Sequence, residues 1–129
     1  MAKILIIEDN EASRDMLSRR LSRFGYTVVV AKDGPEGIRL AETEAPDLIL
    51  MDYRLPGMDG WQVTWQMKNT TETATIPIIA VTAHDTMRDV EGALSAGCDD
   101  FMAKPIDIVP LLRKIGVLLA RKSGTCQEF

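Results

Sequence analysis

The run Leu48-Ile49-Leu50-Met51 is followed at once by a carboxylate, Asp52. A short run of large apolar side chains is typical of a strand buried on both faces of a parallel sheet. Two further runs have the same form and also end at polar residues: Ile4-Leu5-Ile6-Ile7 before Glu8-Asp9, and Ile78-Ile79-Ala80-Val81 before Thr82. The three runs together predict a parallel sheet with polar side chains gathered at one edge.

That edge is where chemistry is expected. In open α/β sheets, ligands bind outside the carboxyl ends of the strands, so Glu8, Asp9 and Asp52 should converge there. Three carboxylates repel one another unless a cation lies among them, and hard oxygen ligands suit Mg²⁺. The pattern therefore indicates a carboxylate nucleophile assisted by a metal ion.

Size and composition narrow the class of protein. The chain has 129 residues and is 46% hydrophobic, which fits one globular domain with a core of its own. Its net charge of -4 and the lack of any lysine or arginine run argue against non-specific nucleic-acid binding. The aliphatic runs are too short to span a bilayer, and the N-terminus leads directly into a strand without the layout of a signal peptide.

The two cysteines of the chain indicate a reducing compartment. Cys98 and Cys126 have no metal-like spacing, so we interpret them as free thiols in a reducing environment. These features together predict a cytoplasmic protein that does not associate with membranes or nucleic acid.

Strand and helix patterns alternate along the chain. The predicted strands are residues 4–7, 27–30, 47–51, 77–81 and 100–103. Five βα units in this length predict a doubly wound, three-layer α/β sandwich. We expect the folded domain to span residues 1–121 and residues 122–129 to form a short disordered tail.

Each predicted helix has its own signal. The first carries an apolar stripe that ends before Gly25, and the second begins at Asp33-Gly34-Pro35. The third runs from residue 59 or 60 to about 69, the fourth from about 85 to 96 before Gly97, and the fifth begins near residue 108 with apolar residues at three-and-four spacing. The stripe of the first helix is Ala12, Met16, Leu17, Leu21 and Phe24. Trp61 and Trp65, one helical turn apart, are predicted to pack in or at the edge of the core.

Five elements, each after a predicted strand, resemble the receiver domains of two-component response regulators. They are Glu8-Asp9, Asp52, the loop Leu55-Pro56-Gly57-Met58-Asp59-Gly60, Thr82, and Lys104-Pro105. The resemblance covers about residues 3 to 120, and the offsets of Thr82 and Lys104 from Asp52 are those of the family. The expected fold is a five-stranded parallel sheet with five helices in the flavodoxin-like order 2-1-3-4-5.

The resemblance implies a phosphoacceptor site. Asp52 would accept a phosphoryl group from a histidine kinase or a histidine phosphotransfer protein. Mg²⁺ would be held by Glu8, Asp9, Asp52 and the backbone carbonyl of Arg54. The chain itself would be a slowly self-dephosphorylating switch rather than an enzyme that turns over external substrates.

Residues after the later strands would respond to the phosphoryl group. Lys104 would pair with one phosphoryl oxygen and Thr82 would donate its hydroxyl to another. The movement of Thr82 would let Phe101 turn inward, and Lys104-Pro105 is a candidate cis peptide bond.

Two further groups of residues are assigned by the resemblance. The positions that would flank the phosphoryl group and tune hydrolysis of the aspartyl phosphate are Arg54, Ala83 and His84. In one interpretation they give a long-lived phosphorylated state. In the other, Arg54 and His84 point to solvent and have little effect. The phosphodonor would dock on the face carrying Asn10, Ser13, Arg14 and Ile106, and output would pass to a protein target through helix four, strand five and helix five.

Several interpretations stay open. The chain is either a stand-alone response regulator or a receiver from a larger regulator or hybrid kinase, and either a monomer or a weak, phosphorylation-dependent dimer. A haloacid-dehalogenase-type phosphatase would need an aspartate at position 54, where this chain has arginine. A flavodoxin-like cofactor binder would need a phosphate loop after strand one, where the chain is acidic.

Overall fold

The computed structural model describes residues 2–55, 57–82 and 87–123. The strands are β1 (Lys3–Ile7), β2 (Thr27–Ala31), β3 (Leu48–Asp52), β4 (Ile78–Thr82) and β5 (Asp100–Ala103). The helices of the described ranges are α1 (Glu11–Arg23), α2 (Gly34–Glu44), α3 (Gly60–Lys68), α4 (Met87–Ala96) and α5 (Ile108–Ser123).

The sheet is parallel throughout, with the strand order β2-β1-β3-β4-β5. This confirms the predicted doubly wound topology. Every residue of β3 and β4 is buried, because both strands are interior and helices cover both faces of the sheet. The predicted strand boundaries differ from the observed ones by a residue or less at each end.

Two buried clusters lie on opposite faces of the sheet. One contains Ile7, Met51, Val63 and Met67, and packs with α2 and α3. The other contains Leu17, Leu21, Leu111 and Ile115, and packs with α1 and α5. Alternate side chains of each central strand enter one cluster or the other, which follows from the period of two in a strand.

Helix termini follow the local sequence. Asp33 caps α2 through a hydrogen bond from the Glu36 N–H at 2.9 Å, and Pro35 lies in the first turn, as predicted. Gly25 and Gly97 have φ of 94° and 106°, a left-handed conformation that glycine adopts without the cost of a Cβ, and each follows a helix end.

The predicted apolar stripe of α1 is wrong in part. Leu17 and Leu21 are buried, but Ala12, Met16 and Phe24 are exposed. The buried face runs through Leu17 and Leu21 one turn apart, so residues 12 and 16 fall outside it, and Phe24 lies beyond the last helical turn as the C-cap. The predicted burial of Trp65 is also wrong: this side chain is 59% exposed on the outer side of α3.

The last helix is longer than the predicted domain. It continues to Ser123, two residues beyond the expected boundary at 121, and no glycine or proline lies between Gly116 and Gly124. The rest of the predicted tail, residues 124–129, lies outside the described residues. Within the described residues, none of the helices has the length and apolar character needed to cross a membrane.

Candidate functional site

The ends of β1 and β3 place the predicted acidic residues side by side. Ile7 pairs with Met51 in the sheet, so the residues that follow them, Glu8 and Asp52, lie at the same level. Glu8 and Asp52 are only 3% and 4% exposed, whereas Asp9 is exposed. One carboxylate oxygen from each of the three lies within 4.8 Å of the others. The geometry therefore brings together the three predicted metal ligands that have side-chain oxygens.

Lys104 reaches this cluster from the loop after β5. Its Nζ lies 3.2 Å from Glu8 Oε1 and 3.2 Å from Asp52 Oδ1. One ammonium group thus faces two buried carboxylates, with Asp9 adding a third negative charge at the rim. Because buried charges need compensation, the cluster retains an excess of negative charge that suits a divalent cation.

The pKa values of Asp52 and Lys104 are both shifted by burial and by neighbouring charges. Burial and, to a lesser degree, repulsion by Glu8 raise the pKa of the Asp52 carboxyl to about 6, against the opposing effect of Lys104. Burial alone would lower the pKa of Lys104, but the charges of Asp52 and Glu8 outweigh it and raise that pKa above its usual value. At pH 7 Lys104 is therefore cationic.

The start of α1 holds Glu8 in place. Glu8 Oε2 accepts a hydrogen bond from the Asn10 N–H at 3.1 Å, while Oε1 faces Lys104. Asn10 also caps α1, its Oδ1 accepting from the Ser13 N–H at 2.9 Å. Arg14 Nη1 donates to the carbonyl of Glu8 at 2.9 Å. Two of the residues assigned to partner docking, Asn10 and Arg14, thus also organise the acidic loop itself.

Ser13 and Ile106 share a cavity beside the acidic cluster. It has a volume of about 300 Å³, and its wall also includes exposed Met16. The other residues of its lining are Glu8, Leu17, Arg20, Lys104 and Pro105. The half-buried Lys104 thus lines a cavity on the face where the phosphodonor is predicted to dock.

A second cavity, of about 450 Å³, lies on the other side of the cluster. It is lined by Asp9, Tyr53, Arg54, Leu55 and Asp59. Arg54 is exposed and faces this space, where the resemblance places a residue that tunes hydrolysis. The other two predicted tuning residues, Ala83 and His84, lie outside the described residues.

Gly60 allows the start of α3 to approach Asp52. Its N–H donates to the carbonyl of Tyr53 at 2.7 Å. A Cβ at position 60 would collide with the carbonyl oxygen of Asp52 and lie 2.8 Å from the Cα of Tyr53. Asp59 and Gln62 form a capping box that fixes the first turn of the helix. The Asp59-Gly60 pair therefore shapes the loop after Asp52 as well as making a turn.

The predicted switch residues lie on β4 and β5. Thr82 is buried at the end of β4, next to Ala103 of β5 in the sheet register. Phe101 is half-buried, with Lys114 Nζ 5.9 Å from the centre of its ring. The Lys104-Pro105 peptide bond is cis, which confirms that prediction.

The contact between Tyr53 and Trp61 was not predicted from the sequence. Tyr53, directly after Asp52, packs against Trp61 of α3 with ring centroids 4.4 Å apart. The signal available in the sequence was an aromatic residue on each side of the predicted loop. Spacing alone does not reveal that the loop folds back and brings these two rings together.

Comparison with known proteins decides the family. The family model of the response regulator receiver domain matches residues 4–116 of this chain. The chain is a response regulator receiver domain. This receiver is 38% identical to PilH of Pseudomonas aeruginosa over 120 residues, covering 93% of this chain and 99% of PilH. It is 36% identical to the response regulator MprA of Mycobacterium ulcerans over 119 residues, which is 92% of this chain but 50% of MprA.

A solved structure supports the same assignment. The receiver superimposes with a TM-score of 0.86 on the receiver domain of sensor histidine kinase PA1611 from Pseudomonas aeruginosa, at 35% identity, covering 92% of this chain and 98% of that one. That structure has a magnesium ion coordinated in its active-site cleft. Receiver domains of two-component systems are phosphoacceptor switches that interact with histidine kinases and downstream targets, so the family confirms this general function.

Proposed function

We propose that Asp52 is the phosphoacceptor of this receiver and that its phosphorylation requires Mg²⁺. The observation that carries the proposal is the buried Asp52 carboxylate, 3.2 Å from the Lys104 ammonium that it shares with Glu8. Such an arrangement neutralises only part of the charge at the strand ends. It leaves a nucleophilic oxygen next to a cation that can pair with an incoming phosphoryl group.

The residues present fit a magnesium ion. Their donor set consists of hard oxygen atoms: the carboxylates of Glu8, Asp9 and Asp52, with the backbone carbonyl of Arg54 as the fourth proposed protein ligand. When bound, Mg²⁺ would neutralise charge on the carboxylates and on the phosphoryl oxygens. The magnesium in the PA1611 receiver supports this choice of ion.

The transfer itself is a substitution at phosphorus. An Asp52 oxygen attacks the phosphorus of a phosphohistidine, the P–N bond breaks, and its electron pair returns to the imidazole nitrogen. Lys104 pairs with a phosphoryl oxygen of the aspartyl phosphate, and the Thr82 hydroxyl donates to another. Water later attacks the phosphorus and restores the Asp52 carboxylate.

The switch acts on β5. When Thr82 moves toward the phosphoryl group, Phe101 turns inward, and the face formed by α4, β5 and α5 becomes the output surface for a protein target. The half-buried position of Phe101 supports a ring with two accessible orientations.

The phosphodonor is proposed to be a histidine kinase or a histidine phosphotransfer protein. It would enter over the cavity lined by Ser13, Met16 and Ile106, with Asn10 and Arg14 at the margin. Relatives include both PilH, which this chain covers over 99% of its length, and the longer regulator MprA, which it covers over 50%. A receiver within a larger regulator or hybrid kinase therefore remains the alternative to a stand-alone regulator. A cytoplasmic location and a monomer or weak dimer remain predictions.

Intact-mass spectrometry after incubation with acetyl phosphate tests the proposal. We expect a mass gain of one phosphoryl group that requires Mg²⁺ and is absent from Asp52→Asn. A gain that persists in Asp52→Asn would place the phosphoryl group elsewhere, and no gain with either acetyl phosphate or a phosphorylated histidine donor would contradict the proposal.

The role of Arg54 is tested by the decay of the phosphorylated form. Its exposed cationic side chain lines the 450 Å³ cavity through which water would approach, so we expect Arg54→Asn to shorten the lifetime. Equal lifetimes in the variant and the wild type would show that Arg54 has no influence on hydrolysis.

A further inference from the structure

An aromatic pair connects the loop after Asp52 to α3. The rings of Tyr53 and Trp61 lie with centroids 4.4 Å apart and planes 32° apart, within the range of favourable aromatic packing. Tyr53 stands between Asp52 and Arg54, whose carbonyl is one of the proposed metal ligands. A displacement of the Tyr53 ring therefore acts on the backbone at the acidic site.

The backbone of Tyr53 is fixed on both sides. Its N–H donates to the carbonyl of Val81 on β4 at 2.9 Å, and its carbonyl accepts from the Gly60 N–H at 2.7 Å. The loop is thus tied to β4 and to the first turn of α3. Since Trp61 is the next residue of that turn, a shift of its indole is transmitted to Tyr53 through ring contact and through the shared backbone.

The pyrrole edge of Trp61 lies close to α4. A Cβ built on Gly92 would lie 3.1 Å from Trp61 Nε1 and 3.5 Å from Cδ1. Glycine at position 92 therefore lets the helix backbone approach the indole closely. Trp61 is in contact with Tyr53 on one side and with α4 on the other.

Each ring of the pair lines a different cavity. Tyr53 lines the cavity of about 450 Å³ beside Asp9 and Arg54. Trp61 lines a groove of about 490 Å³ between α3 and α4, together with Met58 and Trp65. The aromatic pair therefore has one ring at the cavity beside the acidic site and the other at the α3–α4 groove.

From these contacts we propose that Trp61 is a positioning residue for the acidic site, which holds Tyr53 and the Arg54 carbonyl in place and links them to α4. This inference rests on the proposed function, because it assigns a role toward Mg²⁺ and the phosphoryl group. The link runs through the α3 side of the sheet, where Trp61 and Phe101 pack against the same hydrophobic cluster.

The chain offers a matched pair of substitutions to test this. Gly92→Ala adds a methyl group against the indole, whereas Gly116→Ala adds the same group to α5 with no neighbouring atom within 4 Å among the described residues. Alanine is intrinsically more favourable than glycine in a helix, and this gain is the same at both positions. A difference between the effects of the two variants therefore reports the contact of residue 92 with Trp61. Trp61→Phe keeps a ring against Tyr53 but removes the indole edge, and Trp61→Leu removes the ring.

Magnesium affinity, measured by titration calorimetry on folded protein, is the first readout, and the lifetime of the phosphorylated form is the second. We expect Gly92→Ala and Trp61→Leu to weaken Mg²⁺ binding about threefold to tenfold, less than the loss typical of groups bonded directly to a metal ligand. Gly116→Ala should stay within about twofold of the wild type. Trp61→Phe should retain most of the affinity, and Gly92→Ala added to it should have no further effect.

Two results would overturn the role of Trp61. One is equal affinity in Gly92→Ala and Gly116→Ala, together with unchanged affinity in Trp61→Leu. The other is a Gly92→Ala effect that persists undiminished in the Trp61→Phe background. Failure of the wild type to bind Mg²⁺ or to be phosphorylated is a different outcome, which would overturn the proposed function and this inference with it.

Discussion

Replacing the phosphoacceptor should stabilise the metal-free protein. Asp52 is 4% exposed, and its folded-state pKa of about 6 lies above the ordinary value of 3.8, first because of burial and then because of Glu8. The ionised form is thus disfavoured in the folded state even with Lys104 at 3.2 Å. Asparagine has a similar shape and no charge, so Asp52→Asn removes this penalty.

The size and sign of the effect follow from proton linkage. Between pH 3.8 and about 6 the folded state binds more protons at Asp52 than the unfolded state does, so this group lowers stability as pH rises through that window. The difference between the two pKa values corresponds to about 3 kcal/mol, fully present above the folded-state pKa and absent below the unfolded one. Asp52→Asn should therefore match the wild type at low pH and exceed its stability by up to about 3 kcal/mol near neutral pH.

Urea unfolding in the presence of a chelator, repeated across this pH range, measures the effect. Asp15→Asn is the control, because Asp15 is an exposed acid whose only described ion pair is with Arg19 on the helix surface, and its loss should change stability by less than about 0.5 kcal/mol. Lower stability of Asp52→Asn than of the wild type near neutral pH would refute the reasoning. So would a stability difference that is the same at every pH.

Four other substitutions have expected effects on the free energy of unfolding, measured in urea. Gly60→Ala should destabilise the folded protein by about 1–3 kcal/mol because the added Cβ collides with backbone atoms of Asp52 and Tyr53. Its control, Gly116→Ala, should stabilise the protein by up to about 1 kcal/mol. Equal effects of the two variants would contradict this prediction. Thr64 is fully buried and its Oγ1 has no partner within the described part of the chain, so Thr64→Val should raise stability by about 1 kcal/mol, and a loss would indicate a partner. Lys68→Met should cost about 2–4 kcal/mol, since Nζ donates to Asp99 at 2.9 Å and to the Ile76 carbonyl at 2.7 Å; a neutral result would show that these bonds contribute little.

The fold was predictable because its signals are local and repeated. Each central strand is a short apolar run that ends in a polar residue, and parallel pairing brings those ends to one edge. The adjacency of Glu8 and Asp52 therefore follows from the chain's pattern of strands. The cis Lys104-Pro105 bond followed from the family resemblance rather than from the residues alone.

Contacts between distant elements were not predictable in the same way. The stripe assigned to α1 included Met16 and Phe24 because apolar residues at helical spacing look alike whether they face the core or solvent. Burial of α1 is decided by where the sheet lies, which selects Leu17 and Leu21. The contact of Gly92 with Trp61 likewise depends on how α3 and α4 pack, and no local pattern records it.

The most direct test of whether Asp52 is the phosphoacceptor is to map the residue that carries the phosphoryl group. The receiver would be incubated with acetyl phosphate and Mg²⁺, reduced with borohydride, which converts an aspartyl phosphate to homoserine, and digested for peptide mass spectrometry. We predict homoserine at position 52, dependent on both acetyl phosphate and Mg²⁺. Homoserine at another aspartate, with Asp52 unmodified, would contradict the claim that Asp52 is the phosphoacceptor.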